Sequence, residues 1–416
     1  MGFVEVLGTV TAVLVLISTC LYAYQVVYMF LPLIPRKRKH KEIKMHRYAL
    51  LVPARNEKNV IGHLLRSIAA QDYPQELIKV YVIADNCTDE TAQIAREHGA
   101  TVFERFNKEQ VGKGYALNYL MENIDKTVGL DQHDVFMIFD ADNLLEPDYL
   151  SKINQTFSDG YEAACGFRNT KNFDSNWISA GYGVWYLHDS SHLNRSRSWL
   201  NVGCGVSGTG FGFTRQLLEK IGGWHFFTLT EDLEFNAWCN SHRVKIGYCH
   251  DAVLYDEQPF KFAVSWRQRV RWVQGGYQMV PRYSGGLFKG IFKGGWQSYS
   301  CLENLTLTPW GAWLAFLSGG LTILMTLLTT PFLDAVLVGL GAVAGAYVGM
   351  AVMGLITVAM EWKRIRASKL RRIWGALVFP MFLITFMVIS IVAPFCKFQW
   401  VPIAHTVAVD NDQLHK

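Results

Sequence analysis

The stretch DVFMIFDADNLLEPDYL, residues 134–150, decides the fold. Its apolar run, Val135 to Phe139, ends at Asp140, with Asp142 two residues on. A short apolar run of this kind reads as a strand buried on both faces. Earlier runs fit the same pattern. In HRYALLVPARNE, residues 46–57, Tyr48 to Val52 form an apolar run stopped by Pro53. In IKVYVIADNCTDETAQIAREHG, residues 78–99, a strand closes at Asp85. A helix follows, with Thr88 expected as its N-cap and Thr91 in its first turn. TVFERF, 101–106, reads as another short strand. Helices are expected between the strands: apolar spacing at Ile61, Leu64, Leu65 and Ile68 marks one, and GKGYALNYLMENI, 112–124, marks another behind a Gly-Lys-Gly turn. This βαβαβαβ alternation predicts an α/β domain, Rossmann-like, with a mainly parallel sheet covered on both faces. Ligands of such sheets sit at the carboxyl ends of the strands. Pro53, Asp85 and Asp140 all fall there.

The 416-residue chain is 50% hydrophobic and only 18% charged, against about 25% charge for an average soluble domain. The deficit is concentrated. No Asp, Glu, Lys or Arg occurs in 6–35, 305–333, 335–360 or 373–396. Each stretch is long enough for a membrane-crossing helix of about 20 residues. The expected organisation is therefore an N-terminal transmembrane helix over 1–35, a catalytic domain over 45–281 and an amphipathic interface helix over 282–304. A membrane region of about three segments over 305–396 and a tail over 397–416 complete it. The first segment opens on Glu5 rather than a basic region and is too long for a cleaved signal peptide. The basic runs RKRKHK, 36–41, and EWKRIRASKLRR, 361–372, place the polar domain in the cytoplasm by the positive-inside rule. The expectation is thus a multi-pass protein of the plasma membrane. Three full spans after a cytoplasmic domain would put the tail outside, so Pro380 and Pro394 suggest a bent or re-entrant last segment. The net charge of +5 lies mostly in the juxtamembrane runs and suits lipid headgroups. No nucleic-acid motif accompanies it. Eight scattered cysteines without a C-x-x-C pair read as reduced thiols.

Three clusters carry chemistry. Asp140 and Asp142 repel each other unless a cation sits between them, which suits a hard divalent ion that also grips a diphosphate. In TLTEDLEFNAW, 228–238, Glu231 and Asp232 stand at a helix N-terminus, where carboxylates are stabilised. Asp232, with Glu231 second, is the candidate base for removing a proton from an incoming hydroxyl. In SWRQRVRWVQGG, 265–276, Gln268, Arg271 and Trp272 follow i, i+3, i+4 spacing and share one helical face. Arginines suit a diphosphate and the indole offers a flat face to a sugar. GCGVSG, 203–208, matches G-x-G-x-x-G formally, but no βαβ unit frames it.

With VPARNE, IADNCTD, GKGYALN, DADN, SGTGFGF, TED and QRVRW in this order, the chain resembles family 2 glycosyltransferases. The likeness is to the membrane-embedded processive group that includes cellulose, hyaluronan and poly-N-acetylglucosamine synthases. It covers residues 48–280. The resemblance implies a GT-A fold and an inverting transfer from a UDP-sugar with Mg²⁺ or Mn²⁺. It places Pro53, Ala54, Glu57 and Lys113 in the nucleotide pocket and Asp85 on the uracil or ribose. Asp140 and Asp142 would hold diphosphate and metal, and Asp232 would be the base. Gly208, Thr209, Gly210 and Phe211 would lie beside the acceptor with Gln268 and Trp272, while Arg269 and Arg271 would face the diphosphate.

The expected product is a processive β-glycan exported across the membrane, with UDP-glucose favoured as donor and UDP-N-acetylglucosamine second. Four segments suggest a channel shared in a homo-oligomer. The alternative is transfer of a single sugar to a lipid carrier or glycolipid. A catalytically dead scaffold is disfavoured, since Asp140, Asp142 and Asp232 are all present.

Overall fold

The computed structural model describes residues 2–36, 39–307, 309–397 and 405. Eight strands form one mixed, mostly parallel sheet: β1 (Tyr48–Ala54), β2 (Ile78–Asp85), β3 (Thr101–Arg105), β4 (Val135–Ile138), β5 (Leu144–Leu145), β6 (Ala163–Thr170), β7 (Phe211–Thr214) and β8 (Ile246–Asp256). Their order is β3-β2-β1-β4-β7-β6-β8-β5. The expected parallel half is the run β3-β2-β1-β4. The β1 strand shows why it reads as one apolar run. Tyr48, Leu50 and Val52 pack under the helix Ile61–Ala69, while Ala49 and Leu51 pack under the helix Lys113–Thr127. Both faces of the strand are therefore dry.

The second half departs from simple alternation. β7 runs antiparallel to both β4 and β6, with Phe211 opposite Ile138. That pairing carries the loop before β7, Ser207–Gly210, to the end of β4, next to Asp140. Gly210 has φ +63°, and a Cβ there would stand 1.9 Å from Leu254 Cδ2, so only glycine fits. One cap differs from expectation. The helix after β2 begins at Thr91, whose N–H donates to Asp89 Oδ1 (3.1 Å), while the Thr88 N–H donates to Asn56 Oδ1 (2.8 Å). Thr88 thus closes the β1 loop and caps no helix.

Among the described residues, four helical segments are long and apolar enough to cross a membrane: Phe3–Leu33, Pro309–Thr329, Phe332–Met360 and Lys369–Phe395. The first packs on the second, with Ser18 donating to Ser318 Oγ (3.3 Å), and Tyr22 donates to the Thr306 carbonyl just before it (2.9 Å). The interface helix expected over 282–304 is divided. The helix that carries Gln268 continues unbroken through Pro281 to Ile291, and a new helix begins at Gly295. Gly294 and Gly295, at φ +81° and +66°, make the break.

The last apolar helix, Lys369–Val392, runs on through Pro380. It also lies against the catalytic domain along its length. Gly181 approaches Phe382 so closely that a Cβ would meet it at 2.6 Å. At its far end Gln274 donates to the Ala393 and Cys396 carbonyls (2.9 and 2.8 Å). Before its near end, Arg364 donates to the His250 carbonyl (3.1 Å) and Arg366 pairs with Glu146 (3.7 Å). Basic residues expected at headgroups are therefore also bonded to the domain. Of the tail, only Lys397 and His405 are described, and His405 lies at the strand ends on Glu57. Lys37 and Arg38 of the first basic run, and the rest of the tail from Phe398, lie outside the described residues.

Candidate active site

The carboxyl ends of β1, β2 and β4 open into a cavity of about 820 Å³. Pro53, Ala54, Glu57, Asp85, Lys113, Asp140, Asp142, Gly208, Glu231, Asp232, Gln268, Arg271 and Trp272 all line it. Residues far apart in sequence are thus brought to one wall by the sheet topology.

Lys113 sits at the centre. Its Nζ donates to Asp140 Oδ1 (2.5 Å) and the Gly208 carbonyl (2.6 Å), and stands 3.6 Å from Glu231. The Asp140 N–H donates to Thr209 Oγ1 (3.0 Å), and Thr209 donates on to Asn143 (2.5 Å). Asp142 is only 4% exposed. Burial opposes its charge, but His405, Lys171 and the Glu257 N–H outweigh burial and hold its carboxyl below the usual range. Asp85 is not free for a base or ribose on both oxygens, since Oδ1 accepts from Arg105 (2.7 Å) in a buried pair.

Asp232 stands at the second position of the helix Glu231–Ser241. Burial raises its pKa above the normal aspartate value of 3.8. Glu231 is pushed to about 7, chiefly by burial, but the Lys113 contact engages it. Asp232 forms no ion pair among the described residues and faces the Gly208 loop, where a Cβ would lie 3.9 Å from Oδ2. Its carboxylate is therefore less engaged than that of Glu231.

Four sequence expectations change. Arg269 does not face the diphosphate: it is 0% exposed, donates to the Phe382 carbonyl (3.2 Å) and Thr385 Oγ1 (2.8 Å), and lies over the Phe382 ring at 4.5 Å. One residue along a helix turns the side chain by about 100°, so Arg269 leaves the face shared by Gln268, Arg271 and Trp272. Phe211 is a core ring beside Trp224 and Phe235, not an acceptor contact. Thr209 and Gly210 are turned into the protein, where they hold the end of β4. Arg269→Met is accordingly expected to leave the donor dissociation constant within twofold of wild type. A tenfold rise in a UDP-sugar titration would return Arg269 to the diphosphate.

The structure also adds residues. Arg168 on β6 pairs with Asp256 at the end of β8, donates to the Ser207 carbonyl and lies over the Tyr186 ring at 3.8 Å. Asp256 is still raised to about 6, by burial first. His405 bonds Glu57 (2.9 Å). Burial works against its charge, but Asp142 and Glu57 raise its pKa to about 10. Glu57 in turn is raised by burial to about 7. The alternating pattern of GFRNT and the isolated histidine of the tail gave no signal for either residue.

Asp140 and Asp142 supply hard oxygen donors at i, i+2 into the cavity. Among the described residues, no group of three or more His, Cys, Asp or Glu is arranged to hold a metal. The two carboxylates, with substrate phosphates to complete the set, would suit Mg²⁺ or Mn²⁺.

A family model described as glycosyltransferase like family 2 matches residues 46–275, and the chain belongs to that family. Beta-monoglucosyldiacylglycerol synthase of Synechocystis is 29% identical over 241 residues, covering 56% of this chain and 48% of its own. Poly-beta-1,6-N-acetyl-D-glucosamine synthase of Staphylococcus epidermidis is 25% identical over 248 residues, covering 59% and 58%. The chain thus spans about half the length of the curated relatives it matches. Mannosyltransferase PcManGT of Pyrobaculum calidifontis, solved with GDP-Man and Mn²⁺, superposes with a TM-score of 0.57 at 17% identity, over 92% of this chain and 98% of that one. The shared fold is GT-A.

Proposed function

We propose that the protein is a membrane-bound inverting glycosyltransferase that moves a hexose from a UDP-sugar to the end of a growing β-glycan, with glucose favoured and N-acetylglucosamine second. The observation that carries this is the single cavity joining Asp140, Asp232 and Trp272. From there it continues toward the apolar helices past Trp185, Phe379 and Phe386. Asp232 takes the acceptor hydroxyl proton, and the oxygen attacks C1 opposite the leaving diphosphate. Lys113 and Arg271 stand where negative charge grows. Mg²⁺ or Mn²⁺, held by Asp140 and Asp142, would neutralise the departing UDP when bound. Trp272, its ring edge-on to Tyr182 at 5.9 Å, offers its face to the acceptor sugar. Gln268, accepting from Tyr182 (2.8 Å), steadies that wall. The catalytic domain is proposed to face the cytoplasm of the plasma membrane.

A second reading, one sugar passed to a glycolipid, is supported by the likeness to the diacylglycerol enzyme and by the apolar lip at Trp185 and Phe386, stacked at 5.6 Å. The test is purified protein in proteoliposomes with Mn²⁺ and UDP-glucose, UDP-N-acetylglucosamine, UDP-galactose or UDP-glucuronate in turn, with Asp232→Asn as the blank. A long product from one donor supports the polymerase. A single transfer that requires added diacylglycerol supports the second reading. Trp272→Ala is expected to cut elongation at least tenfold more than donor hydrolysis, as read by product length against UDP release. Equal losses would make Trp272 a packing residue.

A further inference from the structure

Tyr182 lies on the helix Trp177–His188, whose start is fixed by Asn176 Oδ1 accepting from the Ile178 and Ser179 N–H groups (2.9 and 3.2 Å). It is fully buried, behind two residues that line the cavity, Gln268 and Trp272. Its ring is held from both sides. Trp272 meets it edge-on at 5.9 Å, and Phe382 of the last apolar helix packs on it at 4.7 Å. The neighbouring Gly181, where any Cβ would collide with Phe382, lets that helix come so near. The helix Phe262–Ile291 carries Ser265 and Gln268 about one turn apart, and the Tyr182 hydroxyl is bonded to both.

These bonds run in one direction. Ser265 Oγ donates to the phenol oxygen (3.1 Å), and the phenol O–H donates to Gln268 Oε1 (2.8 Å). Burial lifts the Tyr182 pKa to about 12, so the phenol keeps its single proton near neutrality. A side-chain amide is planar, with its oxygen and its NH₂ on opposite branches. Once Oε1 is tied to Tyr182, the NH₂ of Gln268 is the branch left for the cavity. A binding group locked by packing and by a hydrogen bond behind it recognises its ligand more sharply than one free to turn.

We propose that Tyr182 is a positioning residue for the acceptor: its O–H fixes the Gln268 amide so that the site offers N–H donors to an acceptor oxygen. The inference rests on the glycosyltransferase reading above and deepens it. The acceptor atom beside Gln268 is an oxygen bound through its lone pairs, and the residue that sets this choice touches no substrate. The last apolar helix takes part through Phe382, which backs the ring that holds the amide.

The experiment compares wild type, Tyr182→Phe, Gln268→Met and the double variant in proteoliposomes. UDP release is followed with the donor that wild type uses, at varied methyl β-cellobioside, methyl β-chitobioside or dioleoylglycerol. Tyr182→Phe keeps the ring between Trp272 and Phe382 and removes only the hydroxyl. Expected is an acceptor KM about three- to tenfold higher, with donor KM and acceptor-free UDP release within twofold. Because Tyr182 acts through Gln268, adding Tyr182→Phe to Gln268→Met should change the acceptor KM less than twofold. A wild-type acceptor KM in Tyr182→Phe, losses that multiply in the double variant, or a rise in donor KM instead would each overturn the proposal. If thermal unfolding shows that Tyr182→Phe does not fold, Gln268→Glu decides. It still accepts from Tyr182 but offers no N–H, so a wild-type acceptor KM there overturns the proposal, and a KM raised as in Gln268→Met supports it. If wild type releases no UDP with any donor, the glycosyltransferase reading fails by itself. In that case, or if none of these acceptors is used, protein labelled with ¹⁵N in its glutamine side chains is read by NMR. The Gln268 amide resonance, identified by its loss in Gln268→Met, should shift in Tyr182→Phe, and an unmoved resonance overturns the role of Tyr182.

Discussion

Asp232→Asn is expected to lower transfer by about 10²–10⁴-fold while UDP-sugar binding stays within threefold of wild type. The asparagine keeps the shape and the helix N-terminal position but cannot take a proton. It removes no ion pair, because the contacts of Lys113 are with Asp140, Gly208 and Glu231. Near-normal turnover would remove Asp232 from the chemistry and leave Glu231 as the candidate. The pH profile gives a second check. The base works only as the carboxylate, so rate falls as pH drops through its folded pKa. Burial raises that pKa from 3.8, so the acid limb of kcat/KM is expected above the range of a free aspartate. The limb should vanish from the residual activity of the variant.

Arg168→Met is expected to destabilise the protein by about 3–5 kcal/mol, the usual cost of leaving a buried charge without its partner. Arg168 faces Asp256, and both are largely withdrawn from solvent, with side chains 13% and 4% exposed. It also lies within the field of Asp140. Once it is gone, the acids at the ends of β4 and β8 repel one another, and the Ser207 carbonyl loses its donor. Arg168→Met with Asp256→Leu should recover more than half of the loss, because the stranded charge is removed as well. The comparison is thermal unfolding of the two variants in the same detergent. If the single variant melts with wild type, the pair holds nothing in place.

The sequence makes the first four strands legible for a physical reason. Three of them hold an apolar run that stops at Pro53, Asp85 or Asp140, and local pattern suffices to read them. The carboxylates Asp85 and Asp140 at those ends, and the TED acids at a helix start, follow from the same logic. What the sequence hides depends on long-range pairing. Nothing near SGTGF says that β7 inserts antiparallel between β4 and β6, and so nothing says that Thr209 supports Asp140 while Phe211 packs into the core. The resemblance turns Arg269 toward the diphosphate, whereas its turn on the helix sends it to Thr385, over a hundred residues away. His405 could not be foreseen, since a lone histidine in a polar tail carries no periodicity.

The final apolar helix has a practical meaning. Its exposed face, with Leu370, Leu377, Met381 and Met387, belongs in lipid, while its other face closes over Gly181, Phe173 and Arg269. The family domain ends at residue 275, but the folded catalytic unit does not. A fragment cut near 304 would lose a wall of its own interior and open apolar surface that water cannot wet. The bilayer is then not merely where this enzyme is anchored. A bilayer covering that face would be the solvent in which one side of the domain is folded, and changes in lipid thickness or order would then reach the reaction without any separate messenger.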